Sequence, residues 1–245
     1  MSLRAENLTV IGRLANVSCS LERGGITAIC GPNGAGKSTL LMALAGLLSA
    51  DTGRAMLGEE RLVSLHLKQR ARRIGYLPQS ADIAWDVTVR SIVELGRMPH
   101  GDSAREPVDT AIAALDLEAF EGRRALTLSG GERARMLLAR VLAGEPEWIL
   151  ADEPLAALDI AHQLTLLAHL RRQADGGSGV VIVLHDLALA RNHADRVIVL
   201  DEGRVAADDI PQRALSEEVI AKVWGVAARW IGEPGAQALV SDLSV

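Results

Sequence analysis

Gly31-Pro32-Asn33-Gly34-Ala35-Gly36-Lys37-Ser38 is the stretch of sequence that decides the fold. It has the spacing G-x-x-x-x-G-K-[ST], in which glycines let backbone N–H groups surround a polyphosphate. An apolar strand is predicted before it, over residues 26–30. A helix is predicted after it, with leucines on one face at Leu40, Leu41, Leu44, Leu47 and Leu48. The helix N-terminus adds partial positive charge, so the stretch predicts a nucleotide site.

Two side chains of this loop have predicted chemical roles. Lys37 can reach the β- and γ-phosphates, and the Ser38 hydroxyl can hold Mg²⁺. A glycine-rich turn that merely opens a helix is the alternative, and the strand before the loop and the helix after it argue against that alternative. The predicted nucleotide-binding residues are Gly31, Pro32, Asn33, Gly34, Ala35, Gly36, Lys37, Ser38 and Thr39.

Composition limits the class of protein. The chain has 245 residues, 49% of them hydrophobic, which is enough for one large domain or a domain with a subdomain. Its net charge of −5 argues against a nucleic-acid partner, because a basic face is the expected footprint of one. Cys19 and Cys30 form no disulfide framework, so a reducing compartment is expected. His162 and His169 would lie on one face of a helix, too far apart for one metal, and a solvated face is expected.

The N-terminus and the apolar runs predict a chain that is soluble by itself. Met1 leads directly into a strand-like segment with no signal sequence, and the longest apolar run, near 40–48, is too short for a bilayer. A membrane role would therefore come through a partner.

The order of patterns along the chain predicts an α/β fold. The first thirty or so residues resemble a small antiparallel layer. Residues from about 87 to 142 have helical spacing, which indicates a helical insertion. Continuous apolar runs at 148–151, 180–184 and 197–200 suit a parallel sheet that is buried on both faces. A final helix is expected over 216–224.

Acidic and basic side chains follow two of these apolar strands. Asp152 and Glu153 end the run at 148–151. Asp152 can hold Mg²⁺, and Glu153 can accept a proton from an attacking water. His185 ends the next strand, so it would lie at the same sheet edge, where it can donate to a γ-phosphate. Gln79, which follows Leu77-Pro78, can orient water or Mg²⁺.

Ser129-Gly130-Gly131-Glu132 is predicted to open another helix. Ser129 and Glu132 form an S-x-x-E capping box, so one interpretation is simply a well-started helix. The two glycines, however, expose N–H groups at a helix N-terminus, which favours an anion. A second phosphate-facing surface far along the chain from the first predicts that nucleotide binds across a dimer.

These motifs, in this order, resemble the ATPase subunits of ABC transporters. Asp159, in Leu155-Ala156-Ala157-Leu158-Asp159, resembles the D-loop of that family. The resemblance spans nearly the whole chain. It implies a P-loop ATPase core with a parallel sheet, an N-terminal antiparallel β layer and an inserted helical subdomain. The expected division is a core over 1–80 and 145–245 and a helical signature subdomain over 81–144.

The resemblance also implies a mechanism. Two subunits would form a head-to-tail homodimer, with ATP bound between Lys37 of one and Ser129, Gly130 and Gly131 of the other. Glu153 would activate water, His185 would hold the γ-phosphate, and Asp159 would contribute to the same site. Closure around ATP would do work on separate membrane subunits, and hydrolysis would reopen the dimer.

A finer resemblance concerns the cargo. Leu95-Gly96-Arg97-Met98-Pro99-His100 is similar to ATPases of bacterial importers for iron chelates, haem and cobalamin. It implies permease subunits that contact the chain near residues 80–93, where Trp85 is either a contact or a core residue. It also implies a solute-binding protein as an indirect partner, and a cytoplasmic location on the inner face of the membrane.

The sequence departs from the family at the nucleotide base. ATPases of this family usually stack adenine on an aromatic side chain before the phosphate loop, and residues 8–14 contain none. The side chains that could contact the base in its place are those of Val10, Ile11 and Arg13. Stacking is worth on the order of 1 kcal/mol. We therefore expect weak discrimination between ATP and GTP.

Other classes of protein fit the sequence less well. A soluble ABC ATPase of cluster assembly or chromosome maintenance often carries a second ATPase domain or coiled coils, and neither is visible. A non-hydrolysing, nucleotide-gated interaction protein conflicts with an intact Glu153. A GTP switch or a small-molecule kinase leaves Ser129–Glu132 unexplained, and no N-K-x-D guanine motif occurs. The ATPase of another class of ABC transporter also stays open.

Overall fold

A computed structural model describes residues 1–79, 86–156 and 158–241 of the chain. The strands of these residues are β1 (Leu3–Val10), β2 (Leu14–Leu21), β3 (Ile26–Cys30), β4 (Thr52–Leu57), β5 (Glu60–Arg61), β6 (Ile74–Leu77), β7 (Trp148–Ala151), β8 (Gly179–Val183), β9 (Arg196–Asp201), β10 (Arg204–Asp209), β11 (Ala228–Ile231) and β12 (Ala238–Ser241). The α-helices are α1 (Lys37–Leu44), α2 (Leu67–Arg73), α3 (Val89–Glu94), α4 (Arg105–Ala114), α5 (Gly130–Ala143), α6 (Ile160–Asp175), α7 (Leu187–His193), α8 (Pro211–Ala214) and α9 (Glu217–Trp224).

The central sheet has the strand order β10-β9-β3-β8-β7-β6, and all neighbours except β9 and β10 are parallel. Every residue of β3, β7 and β8 is buried, as expected for strands that are covered on both faces. The register pairs Ala151 with both Leu77 and Ile182, and Ile29 with Val183. Because these strands end level with one another, the residues that follow them meet at one edge of the sheet.

An antiparallel sheet, β2-β1-β4-β5, covers one side of the core. Its apolar residues, such as Leu3, Leu8 and Leu21, form one buried cluster with α1 and with Trp148 of the central sheet. The predicted α/β fold, with a parallel sheet and an N-terminal antiparallel layer, is therefore confirmed.

Helices α3, α4 and α5 lie between β6 and β7 in the chain and pack against one another. Their apolar side chains, among them Val89, Ile112 and Leu138, belong to the same buried cluster as Ile149 and Val180 of the central sheet. The helical insertion thus shares a continuous core with the sheet, and the subdomain boundaries at 81 and 144 stay a prediction.

Three features differ from the expectations. The helix after the phosphate loop ends at Leu44, because Gly46 takes φ 68°, and Leu47 is exposed beyond it. The hairpin β11–β12 had no signal in the pattern. The expectation of a solvated face for His169 is wrong: it is 3% exposed, since it lies within the buried stripe of α6 beside Leu166 and Leu170.

The length and the apolar character of the helices can be compared with what a membrane-spanning helix requires. Across residues 1–79, 86–156 and 158–241, none of the helices combines the length and the apolar character that crossing a bilayer needs.

Candidate nucleotide site

The phosphate loop joins β3 to α1 and is held by contacts within the chain. A Cβ on Gly31 would lie 2.2 Å from the Leu200 carbonyl oxygen, and one on Gly36 would lie 2.7 Å from that of Arg13. Both glycines also have positive φ, 148° and 97°. Packing and backbone conformation therefore require glycine at both positions, independently of any ligand.

Lys37 lies beneath the loop and is only 5% exposed. Its Nζ donates to the carbonyl oxygens of Gly31 and Pro32, both at 2.9 Å. Burial lowers the pKa of Lys37, while the nearby Glu153 and Asp152 act in the opposite direction. The ammonium group is thus held inside the curve of the loop, where a bound phosphate would meet it.

A cavity of about 170 Å³ opens above this loop. Its lining residues are Arg13, Asn33, Gly34, Gly36, Lys37, Ser38, Thr39 and Glu153. A larger cavity of about 630 Å³ lies between α4 and the core and contains none of the predicted site residues. The chemistry of the lining, with a lysine, backbone N–H groups and a carboxylate, makes the smaller cavity the candidate site.

Asp152 follows β7 and faces α1 across the sheet edge. Ser38 Oγ donates to Asp152 Oδ1 at 3.0 Å, and the Tyr76 hydroxyl donates to Oδ2 at 3.3 Å. Burial raises the pKa of Asp152, and burial beside that carboxylate raises the pKa of Tyr76 to about 12. Sequence reasoning missed Tyr76; its only signal was its place near the end of β6, one of the strands that meet here.

Glu153 is held from two sides. His185 Nε2 donates to Glu153 Oε1 at 2.5 Å, and Gln79 Nε2 donates to Oε2 at 2.6 Å. The structure thus brings together the residues that follow β6, β7 and β8. Glu153 has φ 46°, a conformation that is uncommon for a residue with a side chain and that clusters at functional sites.

Oxygen donors suited to Mg²⁺ are present at this edge. The Ser38 hydroxyl and the Asp152 carboxylate are adjacent and bond to each other, and Gln79 lies on the neighbouring strand end. A hydroxyl, a carboxylate and an amide oxygen are ligands that Mg²⁺ accepts, with substrate phosphate oxygens and water completing its shell. The donor set therefore fits the ion.

The start of α5 lies outside this cavity. Ser129 is the N-cap, with its Oγ accepting from Glu132 N at 3.3 Å and Glu132 Oε2 accepting from Ser129 N at 2.8 Å. The latter bond lowers the pKa of Glu132. The described lining of the cavity includes neither Ser129–Gly131 nor Asp159. Ser129 and Gly130 are exposed, whereas Gly131 is buried.

Asp159 caps α6, accepting from His162 N at 2.9 Å. That backbone bond, together with the His162 side chain, lowers the pKa of Asp159. The structure brings Asp159 close to Gly131 through the His162 ring, which packs on that glycine. Sequence reasoning missed this link, because His162 was expected to lie on a solvated helix face.

The segment Leu95–His100 binds the opposite end of α5. Arg97, 7% exposed, donates to the Ala143 carbonyl oxygen at 3.1 Å, to Glu145 at 2.8 Å and to Asp102 at 2.6 Å. His100 Nε2 contacts the Gly144 carbonyl oxygen at 3.0 Å. In this chain the segment therefore satisfies carbonyl groups at the C-terminal end of α5.

Only some of the residues predicted to contact the nucleotide base or the permease lie within the described part of the chain. Arg13 lines the cavity. Ile11, in the turn between β1 and β2, is 80% exposed and is not among the lining residues. Of the predicted permease contact, residues 80–85, including Trp85, lie outside the described residues. Residues 86–88 lead into α3, and residues 89–93 belong to that helix.

Comparisons with known proteins agree with this geometry. Residues 14–156 match the family described as ABC transporter. The hemin import ATP-binding protein HmuV of Rhodococcus jostii (strain RHA1) is 43% identical over 243 residues, covering 96% of this chain and 83% of that protein.

Two solved structures extend the comparison. An inward-facing transporter assigned to the metal-chelate type has TM-score 0.86 and 25% identity, covering 99% of this chain and 98% of that one. A dimeric ATP-binding cassette in a post-hydrolysis state, bound to ADP and Pi, has TM-score 0.77 and 28% identity, covering 85% and 98%.

Proposed function

This chain belongs to the ABC transporter family and is an ATPase coupled to transport, and from that premise we propose that it energises a bacterial importer of haem or a similar compound. Iron chelates and cobalamin belong to the same proposed cargo class. Two findings support the cargo class. One relative is named a hemin import ATP-binding protein, and a structural neighbour is assigned to metal-chelate transport. The resemblance of the segment Leu95–His100 supports the same cargo class.

The functional unit of the proposal is a head-to-tail homodimer. Ser129 and Gly130 are exposed at a helix N-terminus, a place that favours anions, yet they lie outside the cavity of their own chain. A structural neighbour is a dimer that carries ADP and Pi. ATP would therefore bind between Lys37 of one copy and Ser129–Gly131 of the other.

The main observation behind the hydrolytic proposal is that two neighbouring side chains bond to the carboxylate of Glu153. Its two oxygens bond to His185 and Gln79, so the carboxylate is already oriented beside the cavity that contains Lys37. In the ATP complex, Glu153 takes a proton from water while the water oxygen attacks the γ-phosphorus and ADP leaves. On ATP binding, His185 Nε2 exchanges its bond to Glu153 for one to the γ-phosphate, and Lys37 donates to the β- and γ-phosphates.

Mg²⁺ would be held by Ser38, Asp152 and Gln79. When bound, the ion neutralises charge on the phosphate oxygens during transfer. Thr39, next to Ser38 in the lining of the cavity, would contact the phosphates with the rest of the loop.

The proposed partners are separate permease subunits, contacted near residues 80–93, and a solute-binding protein reached only through them. The complex would hold this chain at the inner face of the cell membrane. The relative's name supports an import role, and the structural neighbour is a whole transporter.

The hydrolytic proposal is tested with Glu153→Gln. This change keeps the shape of the side chain but removes the base, so turnover should fall by about 10²–10⁴-fold while ATP binding persists. Size-exclusion chromatography with ATP should detect an accumulated dimer. Glu118→Gln, on the exposed surface, is the matched control. Wild-type turnover in Glu153→Gln would contradict the role of Glu153 as the base.

The transport proposal is tested with the permease that co-purifies from native membranes. The complex is reconstituted into liposomes, and ATP-driven accumulation of hemin, cobalamin and a ferric chelate is compared. Accumulation of at least one of these cargos, lost with Glu153→Gln, is the expected result. Failure to recover any permease would favour the alternative of a soluble ABC ATPase that is not part of a transporter. Transport of unrelated solutes would favour the ATPase of another class of ABC transporter.

A further inference from the structure

The Gly131 backbone is covered by a side chain of its own protein. An ideal Cβ at this position would lie 2.1 Å from His162 Cδ2 and 2.5 Å from His162 Nε2. No real Cβ tolerates such a contact, so the imidazole occupies the space that any side chain at 131 would need. This also explains why Gly131 is buried although Ser129 and Gly130 beside it are exposed.

The ring is fixed in this position from its other side. His162 Nδ1 lies 2.7 Å from Asp159 Oδ1, the same oxygen that accepts from His162 N at 2.9 Å. Because Nδ1 donates to this carboxylate, the Nε2 edge of the ring lies toward Gly131. His162 therefore joins the first turn of α6 to the first turn of α5.

The start of α5 needs such support. Gly130 and Gly131 are its first two residues, and glycine has more backbone freedom than any other residue. The capping box holds Ser129 and Glu132 to each other, on either side of the two glycines. Among the residues that the structure describes near Gly131, the His162 ring supplies the closest contacts to the position its Cβ would take.

We propose that His162 is a positioning residue for ATP hydrolysis. It holds the glycines of α5 in the geometry that meets the γ-phosphate bound by a second copy of the chain, and it couples that geometry to Asp159. The inference rests on the proposed head-to-tail dimer and assigns His162 no contact with ATP. Its effect is therefore on dimer closure and turnover, not on binding of ATP to the phosphate loop.

A double-mutant cycle tests the contact itself. Gly131→Ala should lower kcat by about tenfold when His162 is present, because the methyl group displaces the ring. His162→Ala should also lower kcat, but the double variant should be no worse than the worse single one, since the methyl then has room. The dissociation constant of ATP for the separate subunit should stay within about twofold throughout.

Two further variants separate positioning from folding. His162→Asn keeps a donor for Asp159 but removes the part of the ring that covers Gly131, so kcat should fall while Tm stays near that of the wild type. His66→Ala is the control, because His66 is another histidine at the start of a helix, with Nδ1 accepting from Lys68 N at 3.3 Å. That control should leave kcat unchanged.

The outcomes distinguish the two proposals. ATP-driven dimerisation is measured in the Glu153→Gln background, with and without His162→Ala. If the Glu153 variant dimerises but the effects of Gly131→Ala and His162→Ala on kcat simply multiply, the role of His162 is overturned and the dimer stands. The role of His162 would also be overturned if kcat of His162→Asn fell only in proportion to a lower Tm. If the Glu153 variant never dimerises with ATP, the dimer itself fails.

Discussion

The phosphate loop and the start of α5 both present glycines at a helix N-terminus, but they differ in what completes them. In the loop, the chain itself supplies the surroundings: Lys37 is buried and bonds two loop carbonyl groups. At the start of α5, Ser129 and Gly130 are exposed, and the contacts there include a capping box and the covering ring of His162. The first region is preformed within one chain, while the second presents an open surface.

This difference teaches how the work divides between the two halves of the proposed site. A preformed loop can bind the phosphates of ATP in a single subunit, since little ordering is needed on binding. In the proposed dimer, the open helix start would contribute only when a second copy brings phosphate to it. Substitutions in the loop should therefore change binding, and substitutions at the helix start should change turnover.

Between these two regions, the largest expected effect is on ATP binding, with Lys37→Ala. A charge-assisted hydrogen bond contributes about 1.5–3 kcal/mol, so the dissociation constant of ATP should rise by roughly 10–100-fold. Titration calorimetry in the Glu153→Gln background measures it without hydrolysis. Lys68→Ala, an exposed lysine of α2, is the control. Unchanged affinity would show that the loop does not depend on its buried ammonium group.

A smaller effect, on turnover and not on ATP affinity, is expected for Ser129→Ala. We expect kcat to fall by about tenfold, because one hydrogen-bond partner for the transferred phosphate is lost, with ATP affinity of the separate subunit unchanged. Loss of the cap should also cost about 1 kcal/mol of stability.

Ser216→Ala is the matched control for that cap. Ser216 caps α9, with Oγ accepting from Val219 N at the same 3.3 Å as Ser129 Oγ from Glu132 N. It should lower Tm equally and leave kcat intact. Equal losses of kcat in both variants would contradict the assignment of the α5 start to the site.

The pH dependence of stability should have opposite signs for Asp152, which bonds to Ser38 of the phosphate loop, and for Glu132, at the start of α5. Burial raises the pKa of Asp152, so the folded protein loses stability as pH rises through the folded pKa of this group. The pKa of Glu132 is lowered by the bond from Ser129 N, so its stabilisation exists above the unfolded pKa and is lost as pH falls through the folded pKa.

Thermal melts of two variants at several pH values check these signs. At neutral pH, Asp152→Asn should raise Tm by about 2–4 °C per kcal/mol recovered, and Glu132→Gln should lower Tm. Both differences should vanish at a pH below the folded and unfolded pKa values of the substituted group. A destabilised Asp152 variant at neutral pH would mean that its bonds to Ser38 and Tyr76 outweigh burial.

The smallest effect is expected at Arg13, which lines the cavity. If the guanidinium stacks on the base, Arg13→Ala removes about 0.5–1 kcal/mol and raises KM for ATP by roughly two- to fivefold. Turnover of ATP and GTP is compared in the wild type and in Arg13→Ala, with Arg229→Ala as a control. A strong preference of the wild type for ATP would contradict the expectation of loose contact with the base.

Much of the site could be predicted because its motifs are local. The loop at Gly31–Ser38, the strand end at Asp152-Glu153 and the capping box of α5 are each contained in a few consecutive residues. The shared edge of His185 and Asp152 also followed from sequence, since parallel strands present their carboxyl ends together. The hydrogen bonds that support Glu153 did not, because they depend on the register of β6, β7 and β8.

By itself, the sequence identified candidate residues for binding phosphate, holding Mg²⁺ and taking a proton, and it determined that the helix start at Ser129 is capped. Short-range spacing and side-chain chemistry were sufficient for that. Only the tertiary structure decided that Tyr76 bonds to Asp152, that Arg97 caps the far end of α5 and that His162 covers Gly131. These contacts join residues distant in the chain, and packing between elements, which no local pattern records, determines them.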